Sequence, residues 1–65
     1  MLTIRRDGDR VATVADANAA FAWLVQNTNQ STAYAIKYDG YTVTDADGVP
    51  VPGFRKEDHD NYYVR

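Results

Sequence analysis

Apolar positions along this chain follow two different periods, and the changes between them outline a fold. From Asp16 to Asn27 the spacing is helical: Ala17, Phe21, Leu24 and Val25 stand at i, i+4, i+7 and i+8 and predict a stripe facing the core. Asp16 suits the N-cap, where a carboxylate accepts hydrogen bonds from the first unpaired amides of the helix. The polar run Asn27-Thr28-Asn29-Gln30-Ser31 ends it, asparagine tolerating the left-handed conformation that a helix terminus wants. Trp23 is left over. At roughly 100° per residue it lies about 160° from Val25, on a face shared with Ala19 and Gln26.

On either side of this helix the period drops to two. Leu2–Arg6 and Arg10–Val14 flank Asp7-Gly8-Asp9, a strong hairpin signal. A two-residue Asp7-Gly8 turn pairs Ile4 with Val11 and Leu2 with Thr13. A three-residue loop pairs Ile4 with Ala12 and Leu2 with Val14, which gathers four apolar residues on one face and is the preferred register. Thr32–Tyr38 alternates, with Tyr34, Ile36 and Tyr38 opposite Ala33, Ala35 and Lys37. Asp39-Gly40 then predicts a second hairpin through a type I′ turn, pairing Tyr38 with Tyr41 and Ile36 with Val43. Asp47-Gly48 is a third turn, and the prolines of Val49-Pro50-Val51-Pro52 restrict that piece to an edge strand or extended arm.

The expected class is therefore α+β: an antiparallel sheet of two hairpins in ββαββ order, one helix on one face, and an extra edge strand if Val49–Pro52 pairs. Residues 1–52 form the expected single domain, and residues 53–65 a C-terminal tail or short terminal strand.

Size sharpens this picture. A chain of 65 residues is near the lower limit of independent folding, where reinforcement commonly comes from disulfides, metals or a partner subunit. No cysteine is present and His59 is the single histidine, so disulfides and thiolate or His-rich zinc sites are excluded. Packing or association must supply the stability. Seven Lys and Arg against nine Asp and Glu leave no basic excess to neutralise phosphates, which argues against general nucleic-acid binding. The absence of an apolar h-region or of a run near 20 apolar residues predicts a soluble, cytoplasmic protein with no membrane partner.

Candidate chemistry is sparse. Asp45, Asp47 and Gly48 resemble part of a calcium loop, but Val43 and Phe54 stand where acidic ligands would be required. Asp7 with Asp9, and Glu57, Asp58 and Asp60, are carboxylates in expected turns or tail, where nothing desolvates them. No Ser–His–Asp arrangement and no glycine-rich phosphate loop is present. Neither an enzyme, a cofactor nor a small-molecule substrate is expected. Tyr34, Tyr38 and Tyr41 with Arg5, Arg6, Arg10 and Lys37 form the alternative, a platform for nucleic-acid bases. Trp23 has two readings: the C-terminal residues, through Phe54 or Tyr62-Tyr63-Val64, cover it, or it anchors a homodimer or a partner contact.

The span from Val14 to Thr44, above all AFAWLV and STAYAIKYDGYTV, resembles the small uncharacterised proteins encoded by phages of actinobacteria. The resemblance covers about half of the chain. It implies an accessory protein that binds and modulates a host or phage protein, in the host cytoplasm, and it carries no site residue. The resulting expectation is a small non-enzymatic protein-interaction module that contacts another protein or itself through Trp23, Ala19, Gln26, Tyr62 and Tyr63. A structural, self-assembling role is the further alternative.

Overall fold

In the computed structural model, which describes residues 1–59, strands β1 (Leu2–Arg6) and β2 (Asp9–Val14) are followed by helices α1 (Ala17–Thr28) and α2 (Thr32–Tyr38) and by strand β3 (Tyr41–Thr44). A single 3-10 turn, Lys56–His59, follows. The sheet is antiparallel with order β2-β1-β3, so the first strand of the chain is the central one. The class is α+β, as the pattern predicts, but the element order is ββααβ.

The first hairpin reconciles the two registers. Asp7 and Gly8 both have positive φ, 53° and 91°, as a two-residue type I′ turn requires. Arg6 pairs with Asp9 and Arg5 with Arg10; an irregularity between Ile4 and Arg5 then skips Val11, so that Ile4 meets Ala12 and Leu2 meets Val14. A β-bulge thus keeps the short turn and still delivers the apolar pairing. The preferred pairing forms, without the longer loop.

The second hairpin does not form. Thr32–Tyr38 is a helix, and Ile36 and Tyr38 have no strand partners in Val43 and Tyr41. Those two residues pair instead with Ile4 and Arg6 of β1. Ser31 decides the matter locally: its hydroxyl accepts from the Tyr34 amide at 3.1 Å and caps the helix N-terminus. Read with a 3.6 period, Thr32, Ala35 and Ile36 become one buried stripe. Asp39-Gly40 is the exit from α2 into β3, with Gly40 at φ 79°.

Helix α1 starts where expected, the Asp16 carboxylate accepting from the Ala19 amide at 2.8 Å, and ends at Asn29 in the left-handed conformation. Its rotation differs from expectation. Ala20 and Leu24 are fully buried, whereas Phe21 and Val25 are exposed. Both helices lie against the sheet face bearing Ile4, Tyr41 and Val43, and Ala35, Ile36 and Phe54 complete the core. Each fully buried Ile, Leu or Val contributes on the order of 1.5–3 kcal/mol, so Ile4, Leu24, Ile36 and Val43 carry much of the stability.

Past β3, Asp45 builds the next turn: one carboxylate oxygen accepts from the amides of Asp47 and Val49, both at 2.9 Å. Pro50 bridges to Thr44 and the Val51 amide donates to Val43, so this piece lies along the edge of β3. Gly53–His59 extends the fold past residue 52 by seating Phe54 in the core. No helix among the described residues is long and apolar enough to cross a membrane.

Candidate interaction site

The rotation of α1 decides which of its aromatic residues is available for contact. Trp23 turns toward the core cluster and meets the Tyr41 ring edge-on, centroids 6.2 Å apart. It is half-buried, covered by β3 within the same domain. Ala19 beside it is half-buried and Gln26 is exposed, while Tyr62 and Tyr63 lie outside the described residues. Among the described residues, Trp23, Ala19 and Gln26 do not form an exposed aromatic patch.

Phe21 does. It is 54% exposed and Val25, one turn later, is 43% exposed. Both line an open groove of about 870 Å³ bounded by α1, the α1–α2 connection, the start of α2 and the Gly53–His59 segment. Phe54 and Ala33 add to its apolar lining. The groove is an open channel on the surface rather than an enclosed cavity. None of the described residues that line it carries a formal charge; Asn18, Asn29, Gln30 and Ser31 supply the polarity.

Two of those lining residues hold polar atoms with no protein partner. Gln30 Oε1 and Thr32 Oγ1 are buried and accept or donate no hydrogen bond among the described residues. A buried oxygen left this way costs about 1–3 kcal/mol. The period-two reading of Thr32–Tyr38 conceals this pair; Ser31 read as a helix cap is the signal that exposes it.

The Gly53–His59 rim is tied together by hydrogen bonds. Asp58 accepts from the Gly53 amide at 2.8 Å and is clamped by Arg55 through Nε and Nη2, both at 2.8 Å. The Arg55 guanidinium, with the Gly53 amide, holds the Asp58 carboxyl well below the usual carboxylate range, and Asp58 in turn raises Arg55. His59 Nε2 lies 2.9 Å from the Gly53 carbonyl, to which it donates. These bonds fix the turn that presents Phe54.

The cations of the base-stacking alternative are dispersed. Arg5 Nη1 donates to Thr44 Oγ1 at 3.0 Å on the face away from the helices, where Arg10 is its cross-strand partner. Arg6 lies over the Tyr41 ring, its guanidinium carbon 5.5 Å from the centroid, and Lys37 donates to the His59 carbonyl at 3.4 Å. Tyr34 and Tyr38 stack on α2 at 5.2 Å rather than on the sheet. Comparison with protein-family models, with curated proteins and with solved structures finds no match for this chain.

Proposed function

We propose that this chain is a small non-enzymatic interaction module that binds another polypeptide in the groove between α1 and the Phe54 turn. The observation that carries the reading is the placement of Phe21 and Val25, exposed on a helix whose adjoining face, Ala20 and Leu24, is already buried in the core. Single exposed apolar residues are ordinary, but these two share one groove with Phe54 and Ala33. Among the described residues, burial of that strip desolvates no charged side chain. The resemblance to small actinobacterial-phage proteins points the same way, and makes a host protein the natural partner and the host cytoplasm the place.

The test is selection from a random peptide-display library on the immobilised chain, with counter-selection on Phe21→Ser. The expected outcome is a related set of peptides that bind the parent chain and lose at least about tenfold on the variant, as for an interface anchor. Failure to enrich any Phe21-dependent binder overturns the reading.

A further inference from the structure

We infer that the sheet face turned away from the helices is a docking site for a phosphate monoester on a polypeptide, held by Arg5 and Arg10. This face is separate from the groove and does not depend on it.

Two rows of side chains cross the strands there. Thr13, Thr3 and Thr44 are paired in one row, and Arg10, Arg5 and Thr42 in the next, about 7 Å along the strands. The β-bulge builds this arrangement. Without it, the register set by the Asp7-Gly8 turn would pair Leu2 with Thr13 and aim Thr13 at the helix side. Skipping Val11 brings Thr13 opposite Thr3 instead.

Arg5 and Arg10 are direct cross-strand partners, which sets like charges side by side at a cost in stability. Neither has an ion-pair partner among the described residues, where both ion pairs belong to Arg55. Arg5 donates to Thr44 Oγ1 at 3.0 Å, which uses one of the five guanidinium N–H groups. Arg10 is exposed and makes no hydrogen bond among the described residues. An anion on this face turns the repulsion into attraction.

The number and placement of charges select the anion. Two guanidinium groups match a compact dianion, and a phosphate monoester carries about −1.5 to −2 near neutral pH, spread over three acceptor oxygens. A carboxylate supplies one charge and leaves the repulsion half compensated. Nucleic acid spreads single charges along its length and needs more cations than these two, on a chain whose net charge is −2. No aromatic ring stands in either row to stack on a base. Small phosphorylated molecules favour concave sites that bury most of their surface. Here Arg10, Thr13 and Thr42 are all exposed, so the phosphate comes on a chain that extends across the threonines.

The test is an NMR titration of the full isotopically labelled chain at neutral pH. The probes are a blocked Gly/Ala peptide of about eight residues with a central phosphoserine, long enough to cross three strands, its glutamate counterpart, inorganic phosphate and an oligonucleotide lacking terminal phosphates. The phosphopeptide should shift the amides of Arg5, Arg10 and Thr42. It should bind about tenfold tighter than the glutamate peptide, the worth of one hydrogen bond to a charged group. Arg5→Gln and Arg10→Gln should each remove that preference. Arg10→Gln relieves a like-charge contact and should not lower the denaturation midpoint, so its loss of binding is not a loss of fold. Phe21→Ser should leave phosphopeptide binding unchanged, so the face and the groove stand or fall separately. No shift on this face, equal affinity for the two peptides, or a preference that survives both arginine substitutions overturns the site. Inorganic phosphate binding as tightly as the phosphopeptide overturns the polypeptide assignment, and tighter binding of the oligonucleotide makes the face a nucleic-acid surface and overturns it too.

Discussion

The indole of Trp23 meets the Tyr41 ring edge-on, with centroids 6.2 Å apart and planes inclined at 61°. The contact joins α1 to β3, two elements whose connection runs through α2. Arg6 lies over the same Tyr41 ring, so three residues from three elements share one aromatic joint. Trp23→Ala should therefore lower stability by about 2–3 kcal/mol, less than a fully buried Trp because the ring is half-exposed. Chemical denaturation followed by circular dichroism checks this. A loss under about 0.5 kcal/mol, the range of ordinary surface changes, would show that Trp23 is a surface residue after all.

Gly40 faces Asp7 across the end of the sheet, where its carbonyl accepts from the Asp7 amide at 3.0 Å. Its φ of 79° disfavours any side chain, and a Cβ there would collide with the Asp7 carboxylate. Gly40→Ala should cost about 1–2 kcal/mol from the backbone conformation alone. The collision adds a part that depends on Asp7. In a double-mutant cycle with Asp7→Gly, which suits the positive φ of 53° at that position, the steric part is recovered and the conformational part remains. Strict additivity would show that the carboxylate simply swings aside.

Much of the frame is legible in the residues, because turn chemistry and apolar pairing agree there. Asp7-Gly8, the Asp16 cap, the Asn29 stop and the apolar pairs of β1 with β2 are all found. The α2 segment misleads because Tyr34, Ile36 and Tyr38 satisfy a period of two, while the same seven residues also satisfy a period of 3.6. A short apolar run does not distinguish them. Ser31, followed by helix-favouring Ala33 and Ala35, is the local tie-breaker. The rotation of α1 is hidden for a related reason. Leu24 belongs to both available stripes, and the alanines around it give little contrast of size. Burial of Ala20 in preference to Phe21 is set by the packing of α2 and the sheet against the helix, not by α1 itself. The groove follows from that choice, so it was not legible before the choice was known.

Asp58 gives the fold an acid-sensitive clasp. Arg55 and the Gly53 amide depress its folded carboxyl below the unfolded value, so the stabilisation is present above the unfolded value and lost as the pH falls through the folded one. Asp58→Asn should consequently melt lower than the parent at neutral pH. The gap should persist down to about pH 4, near the unfolded aspartate value, and close progressively in stronger acid. Melting curves at a series of pH values check the sign: a gap that widens on acidification would mean that Asp58 is held protonated rather than ionised.

The sharpest contrast lies one helical turn apart on α1. Leu24 is fully buried among Ile4, Ile36 and Val43, and Leu24→Ala should cost about 2–5 kcal/mol, the cavity adding to the lost transfer energy. Phe21→Ser exchanges an exposed ring for a small polar group and should change stability by no more than about 0.5 kcal/mol. The two substitutions should therefore separate folding from binding. The first lowers the denaturation midpoint, while the second leaves the midpoint in place and removes the groove's capacity to bind. If Phe21→Ser lowered the midpoint as Leu24→Ala does, the ring would be part of the core, and the groove could no longer be separated from the fold.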